Sequence, residues 1–135
     1  MTAPLTVRHF LEEDFETFAA WSEGHGQIAP PWDALSGQYG LIVEDDQGPL
    51  VAAFLFLAGS WAMVEALASR PGCSIRETWE ASQVMQTRME AVAKEAGALR
   101  LVAFVKSSGM VRACERAGFE KTGPPVAQMM KDLRD

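Results

Sequence analysis

A long helical segment between two strand-like segments constrains the fold of this chain more than any other feature of its sequence. Residues 75–97 place apolar side chains on one helical face, and Gly97 closes the pattern as a stop signal. Residues 61–70 before it and 99–105 after it have the composition of strands. Because a helical crossover within one sheet makes the strands that it joins parallel, the sequence predicts one parallel pair. The predicted buried face of the helix contains Ala81, Met85, Met89, Val92 and Ala96.

The remaining segments predict an antiparallel sheet that joins this pair. The residues DDQG lie between two apolar runs, at 39–46 and 48–59, and predict a hairpin. The other predicted strands are 5–10, 119–123 and 126–133, and the other predicted helices are 11–24, a short one after Pro31, and 108–118. The sequence therefore predicts one α+β domain over residues 1–135, of the three-layer α/β type, with helices on both faces of a mixed, mostly antiparallel sheet.

Composition and charge exclude several classes of protein. The 135 residues are 48% hydrophobic, which favours a folded core over disorder. A formal net charge of −6 argues against nucleic-acid binding and is compatible with a cationic partner such as an amine. The longest apolar run is too short to span a bilayer and no secretory signal is recognisable, so we expect no membrane contact and a cytoplasmic location. Two cysteines and two histidines predict neither a disulfide framework nor a metal site.

Three short runs carry a resemblance to a known superfamily. EALASRP lies at the end of the fourth strand, AKEAGALRL at the junction of helix and strand, and CERAGFEKTG at the last helix, with its Gly118–Phe119 pair. This arrangement resembles the GNAT superfamily of N-acetyltransferases over nearly the whole chain and, in overall style, the short GNAT-like proteins of phages. The resemblance implies acetyl-CoA as acyl donor, held where the fourth and fifth strands splay apart. It also implies that the backbone of Leu67, Ala68 and Ser69 pairs with the pantetheine arm, and that an amine attacks the thioester directly.

The segment RETWEASQ, residues 76–83, stands where the superfamily has its pyrophosphate turn, with the pattern Q/R-x-x-G-x-G/A. Arg76, Trp79 and Ala81 match the arginine, first glycine and alanine positions of that pattern. Trp79 departs from it, because glycine lets a phosphate approach the backbone amides and a side chain fills that space. Arg76 still supplies a guanidinium, and the helix N-terminus supplies its dipole. The alternative is a helix capped by Ser74 whose Trp79 packs on the sheet.

Glu65 and His25 are candidates for the general base. Glu65 shares a face with Met63 and Leu67 if the strand is regular, and a carboxylate among apolar neighbours suits proton abstraction. It can equally be a sheet glutamate that faces water or pairs with an arginine. His25 lies between two glycines in a loop on the acceptor side that the resemblance implies, where it can act as a base or simply be solvated.

Cys114 and Ser107 replace residues that the superfamily often uses. Cys114 stands at the position of a tyrosine that protonates the leaving thiolate, and its thiol can donate a proton or pack in a core. Ser107 replaces an asparagine and can cap the following helix or bond a pantetheine amide.

Two functions of different classes follow from these residues. The first is an acyl-CoA-dependent N-acyltransferase that moves an acetyl group to a primary amine of a small molecule or protein. The second is a catalytically inactive GNAT-fold protein that serves in binding or assembly, for instance in a phage particle. Trp79 and Cys114 favour the second, and the order of elements favours the first. Pairing of two copies is compatible with either.

Overall fold

The computed structural model describes residues 4–105, 108–123, 129 and 131–134. The chain divides into two units, Met1–Phe104 and Val105–Asp135, and each is described by itself. Ser107 and half of the predicted last strand, 126–133, lie outside the described residues. The assignment of residues 1–135 to a single domain stays a prediction.

A mixed sheet forms the centre of the first unit. It has five strands in the order β1-β2-β3-β4-β5. The strands are β1 (Thr6–His9), β2 (Tyr39–Asp45), β3 (Gly48–Ala58), β4 (Trp61–Ser69) and β5 (Arg100–Ala103). Neighbours from β1 to β4 are antiparallel, whereas β4 and β5 are parallel. The predicted parallel pair and the predicted hairpin between β2 and β3 are both confirmed.

The described helices are a 3₁₀ turn (Glu12–Asp14), α1 (Phe15–Gly24), α2 (Trp32–Leu35), α3 (Ile75–Glu95) and α4 (Ser108–Arg116). Among them, the long α3 has recognisable caps at both ends. At the start of α3 the Glu77 amide donates to Ser74 Oγ at 3.1 Å, and the Ser74 amide donates to the Glu77 carboxylate at 3.3 Å. At its end Gly97 adopts a φ of +90°, and the Ala98 amide donates to the Ala93 carbonyl oxygen at 3.0 Å.

Different helices cover the two faces of the sheet. On one face α3 packs on a cluster that includes Leu41, Val43, Val51 and Leu55. On the other face α1 and α2 pack on an aromatic cluster, which consists of Phe10, Phe18, Trp21, Leu35, Ile42, Ala52, Phe54 and Ala68. Leu41 and Ile42 belong to different clusters because side chains alternate along a strand. The predicted α+β class with helices on both faces of a mixed sheet is confirmed.

The predicted buried face of α3 is wrong near the C-terminal end of the helix. Ala81, Met85, Met89 and Ala93 are buried, whereas Val92 is half-buried and Ala96 is exposed. The buried residues follow i, i+4 spacing, which keeps one stripe of the helix on the sheet. Ala96 lies at the C-cap, beyond the last turn that the sheet covers.

The second unit contains α4 and a turn after it. The Phe119 amide donates to the Cys114 carbonyl oxygen at 2.9 Å, with Gly118 at a φ of +95°. Residues 119–123 are not in a strand, contrary to the prediction. Phe119 is the one apolar residue of that segment, which leaves little side-chain surface to hold a strand against a sheet.

Candidate active site at the diverging end of two parallel strands

β4 extends beyond the end of its parallel neighbour. Pairing between the two strands runs from Trp61 opposite Arg100 to Val64 opposite Ala103, where β5 ends. β4 continues for residues 65–69, still paired with β3 on its other side. We call residues 61–64 the closed half of β4 and residues 65–69 the open half. Among the described residues, no strand pairs with the outer edge of the open half, which is the splayed geometry predicted for strands four and five.

A β-bulge begins the open half. Glu65 pairs with Phe54 and Ala68 pairs with Ala52, so that Ala66 and Leu67 together face one residue of β3. Ala66 has a φ of +55°, the left-handed region, which costs a residue with a Cβ roughly 1–2 kcal/mol. The strand is therefore locally strained at the point where the two parallel strands separate.

The bulge changes which side chains share a face. Leu67 packs with the α3 cluster, whereas Ala66 packs with the aromatic cluster. Glu65 lies on the aromatic face, because it is directly opposite Phe54. The prediction that Glu65 shares a face with Met63 holds, but Leu67 points to the other side, since the extra residue reverses the alternation.

Glu65 is held by an amide from outside the sheet. Its Oε2 accepts a hydrogen bond from Gln38 Nε2 at 3.3 Å, and the glutamate is half-buried. The residues that lie across the neighbouring strands from Glu65 are tightly packed. A Cβ on Gly40 would lie 2.7 Å from the Phe54 ring and 2.8 Å from the Phe10 Cβ. Glycine is thus required at position 40 for the aromatic residues to support β4 where Glu65 projects. No arginine pairs with Glu65 among the described residues; Gln38, which sequence reasoning missed, takes that place.

The end of the open half presents a backbone carbonyl to the unpaired edge. The Arg70 amide donates to the Leu50 carbonyl oxygen of β3 at 2.8 Å. Because C=O and N–H of a trans peptide point in opposite directions, the Ser69 carbonyl points away from β3. His25 Nε2 lies 3.1 Å from that oxygen and 3.4 Å from Ser69 Oγ. Nε2 therefore donates to the carbonyl, which leaves Nδ1 as the ring nitrogen able to accept a proton.

The three residues of the predicted pyrophosphate turn lie inside α3. Arg76 is its second residue, its side chain is 80% exposed, and its Nε lies 3.3 Å from Glu80 Oε1. Trp79 is half-buried, and Ala81 is fully buried in the α3 cluster. The turn that precedes the helix is residues 70–74, in which Gly72 has a φ of +82°. Phosphate contact at Arg76, Trp79 and Ala81 stays a prediction.

Cys114 is half-buried within α4 of the second unit. Burial raises the pKa of the Cys114 thiol. The group is therefore a thiol rather than a thiolate at neutral pH, which suits a proton donor and not a nucleophile.

The described part of the chain offers neither a metal-binding cluster nor a helix able to cross a membrane. No cluster of three or more histidine, cysteine or carboxylate side chains within it can hold a metal ion. None of the helices among those residues has the length and apolar character that crossing a membrane requires.

Comparison with solved structures identifies the fold. The chain is similar to an acetyltransferase of Trypanosoma brucei, at a TM-score of 0.68 and 17% identity, over 96% of this chain and 100% of that one. A GCN5-related N-acetyltransferase of Ralstonia eutropha gives a TM-score of 0.67 and 19% identity, over 96% and 99%. A predicted acetyltransferase with acetyl-CoA from Clostridium acetobutylicum gives 0.68 and 13%, over 93% and 96%. No family model and no curated protein matches the sequence. At these identities the likeness shows the fold, which is that of the GNAT acetyltransferases.

Proposed function

We propose that this chain is an acyl-CoA-dependent N-acyltransferase that moves an acetyl group from acetyl-CoA to a primary amine. The open half of β4 is the observation that carries the proposal. In a fold shared with acetyltransferases, it combines an unpaired strand edge with a half-buried carboxylate at the same divergence. A neighbour of this fold is described with acetyl-CoA, which supports the choice of donor.

The described residues fit such a donor along the strand edge and at the start of α3. The Ser69 carbonyl is directed to the unpaired edge, where an amide of an extended pantetheine arm can donate to it once His25 moves aside. The first turn of α3 has amides without intrahelical acceptors, although Ser74 Oγ already accepts from Glu77. Phosphates would be held there and by Arg76, whose exposed pairing with Glu80 contributes little stability and can be exchanged.

Glu65 is the proposed general base. Acetyl-CoA supplies the acyl thioester, and the amine nitrogen forms the new bond to the acyl carbon as the carbon–sulfur bond breaks. The carboxylate of Glu65 removes the amine's proton, directly or through one water molecule. Gln38 holds the carboxylate in place while leaving one of its two oxygens available. Cys114 is kept as the proposed acid for the leaving thiolate, because its thiol is protonated at neutral pH.

Thermal unfolding with acetyl-CoA tests the proposal. A ligand at about 100 times its Kd that binds only the folded state stabilises it by about 2.7 kcal/mol, which raises Tm by several degrees. The companion measurement is release of CoA thiol in the presence of a panel of primary amines. If millimolar acetyl-CoA leaves Tm unchanged and no amine releases thiol, the chain is not an acetyl-CoA-dependent enzyme. Binding without release would instead support the inactive protein considered from the sequence.

A further inference from the structure

Gln38 has a side chain whose orientation is fixed and whose oxygen has no hydrogen-bond partner within the described part of the chain. The residue lies between α2 and β2, and its Nε2 donates to the Ala34 carbonyl oxygen and to Glu65 Oε2, at 3.3 Å each. Both neighbours only accept hydrogen bonds, so the amide nitrogen must face them and the two ends of the amide cannot be exchanged. Gln38 Oε1 is then the end of the amide that neither of these two acceptors contacts.

That oxygen is buried without a hydrogen-bond donor among the described residues. A buried acceptor that has given up water and gained no donor destabilises the folded chain, so such groups are few in folded proteins. The described residues hold one other buried side-chain atom without a hydrogen-bond partner, Gln86 Nε2 in α3. The position of the Gln38 oxygen is informative, because the same amide holds the proposed base. The acceptor oxygen and the carboxylate are therefore neighbours through one amide group, on the face of β4 where the strand opens.

The face of the sheet around Glu65 is closed on one side and partly exposed on the other. On one side of Glu65 the face is closed by the aromatic cluster, in which Phe54 is 1% exposed. On the other side the next pair across β3 and β4 is Phe56 opposite Met63. Phe56 is 40% exposed and Met63 half-buried. A flexible methionine beside a partly exposed ring can move apart from it and open a path to Glu65, whose carboxylate accepts from the Gln38 amide.

We propose, on the basis of the function above, that Gln38 selects the acceptor: its Oε1 receives a hydrogen bond from the substrate's primary ammonium or amine, beside the carboxylate of Glu65. A neutral acceptor and a negative carboxylate together match a small cation with several N–H donors. An alcohol has one donor and no charge, so it satisfies one of the two groups at most. Gln38 is thus both the positioning residue for the base and the contact that favours nitrogen over oxygen acceptors.

Binding of n-propylamine, with n-propanol as its neutral counterpart of the same length, tests this assignment without turnover. The probe is the pair of side-chain N–H signals of Gln38 in nitrogen-15 NMR spectra, assigned by their loss in Gln38→Met. We expect propylamine, which is protonated at neutral pH, to shift these signals in a saturable way, and propanol to leave them unchanged. Equal shifts with both compounds, or none with propylamine, would overturn the proposal.

Variants separate this role from a structural one. Gln38→Met, of similar size and apolar, should weaken propylamine binding about tenfold or more, as expected for the loss of a hydrogen bond to a charged group. Gln47→Met, in the exposed turn between β2 and β3, is the matched control and should leave binding unchanged. Should the methionine variant not fold, Gln38→Asn keeps an amide but is too short to span both contacts, and the same loss is expected. Unchanged binding in a folded Gln38 variant would refute the assignment.

Acetyl transfer to propylamine then distinguishes this proposal from the enzyme proposal. In Gln38→Met we expect KM for the amine to rise and kcat to fall, with the Tm shift by acetyl-CoA intact. If the wild-type chain shows propylamine-dependent signals but no acetyl-CoA shift, the enzyme proposal fails and the amine site stands. If acetyl-CoA binds and transfer proceeds equally well in Gln38→Met, the enzyme proposal stands and the role of Gln38 is refuted.

Discussion

The two halves of β4 are made of similar residues and behave differently. The closed half, residues 61–64, is regular and has a strand on each side. The open half, residues 65–69, is bulged, carries Ala66 at a φ of +55°, and has β3 as its one strand partner in the described chain. Ala62 is fully buried in the closed half, while Glu65 begins the open one and is half-buried.

The difference shows how one strand supplies both stability and a site. In the closed half the backbone groups are used by neighbouring strands, so little is left for a ligand. In the open half the backbone N–H and C=O groups on one edge are left for other partners. The extra residue of the bulge directs Leu67 to the α3 cluster, while Glu65 stays on the aromatic face. Local strain at Ala66 and the orphan oxygen of Gln38 are features expected of a site rather than of a scaffold.

Removing the proposed base should produce the largest effect. Glu65→Gln keeps the size of the side chain and removes its charge, so kcat for acetyl transfer should fall about 10²- to 10⁴-fold, the usual contribution of a general base. The affinity for acetyl-CoA should change little, because the strand edge is retained. Steady-state kinetics and the Tm shift with acetyl-CoA measure the two quantities separately.

A carboxylate outside the site provides the control for that variant. Glu16→Gln, on the exposed side of α1, should leave kcat unchanged. A Glu65→Gln protein with full activity would exclude Glu65 as the base and leave His25 Nδ1, at the other end of the open half, as the group to test.

The sequence predicts the closed half better than the open half. Apolar runs, the capping residue Ser74 and the stop at Gly97 are local signals, and they locate the strands, α3 and the parallel pair. The bulge is not such a signal, because nothing in MVEALAS distinguishes Ala66 from its neighbours; its cause is the pairing of β4 with β3 and its separation from β5. For this reason regular alternation put Leu67 on the wrong face.

The partners of the site residues lie far away in sequence. Gln38 is 27 positions from Glu65, and His25 is 44 positions from Ser69. No spacing rule joins residues at such separations, so the sequence indicates a carboxylate on β4 but neither of these contacts. The turn pattern that matches Arg76, Trp79 and Ala81 likewise takes no account of where α3 begins. The helix begins at Ile75, directly after its cap Ser74, so all three residues lie inside it.

The same substitution in the two halves should change stability with opposite sign. At Ala66 glycine removes a left-handed strain of roughly 1–2 kcal/mol but adds freedom to the unfolded chain that costs roughly 0.5–1 kcal/mol, so we expect Ala66→Gly to stabilise the chain by about 0.5–1 kcal/mol. At Ala62 glycine loses a buried methyl group and adds freedom to the unfolded chain, so Ala62→Gly should destabilise it by about 1–2 kcal/mol. Urea unfolding at equilibrium compares the two. Destabilisation of equal size at both positions would mean that the open half carries no backbone strain.

The smallest effect is expected from acid titration of the ion pair between Arg70 and Asp45, which holds the end of the open half. Arg70 NH2 lies 2.8 Å from Asp45 Oδ2, and Arg70 NH1 donates to the Pro49 carbonyl oxygen at 3.2 Å, so β4 is tied to the β2–β3 hairpin where it leaves the sheet. The Arg70 guanidinium lowers the pKa of Asp45. A carboxylate with a lowered folded pKa contributes stability above its unfolded pKa of about 3.9, and this contribution is lost as pH falls through the folded value.

Asp45→Asn should therefore lower the free energy of unfolding by about 1 kcal/mol or less at pH 6 and show a shallower decline in that free energy below pH 4. Asp46→Asn, in the exposed turn beside it, should keep the wild-type decline; if Asp45→Asn does so too, the Arg70 contact does not secure the open half.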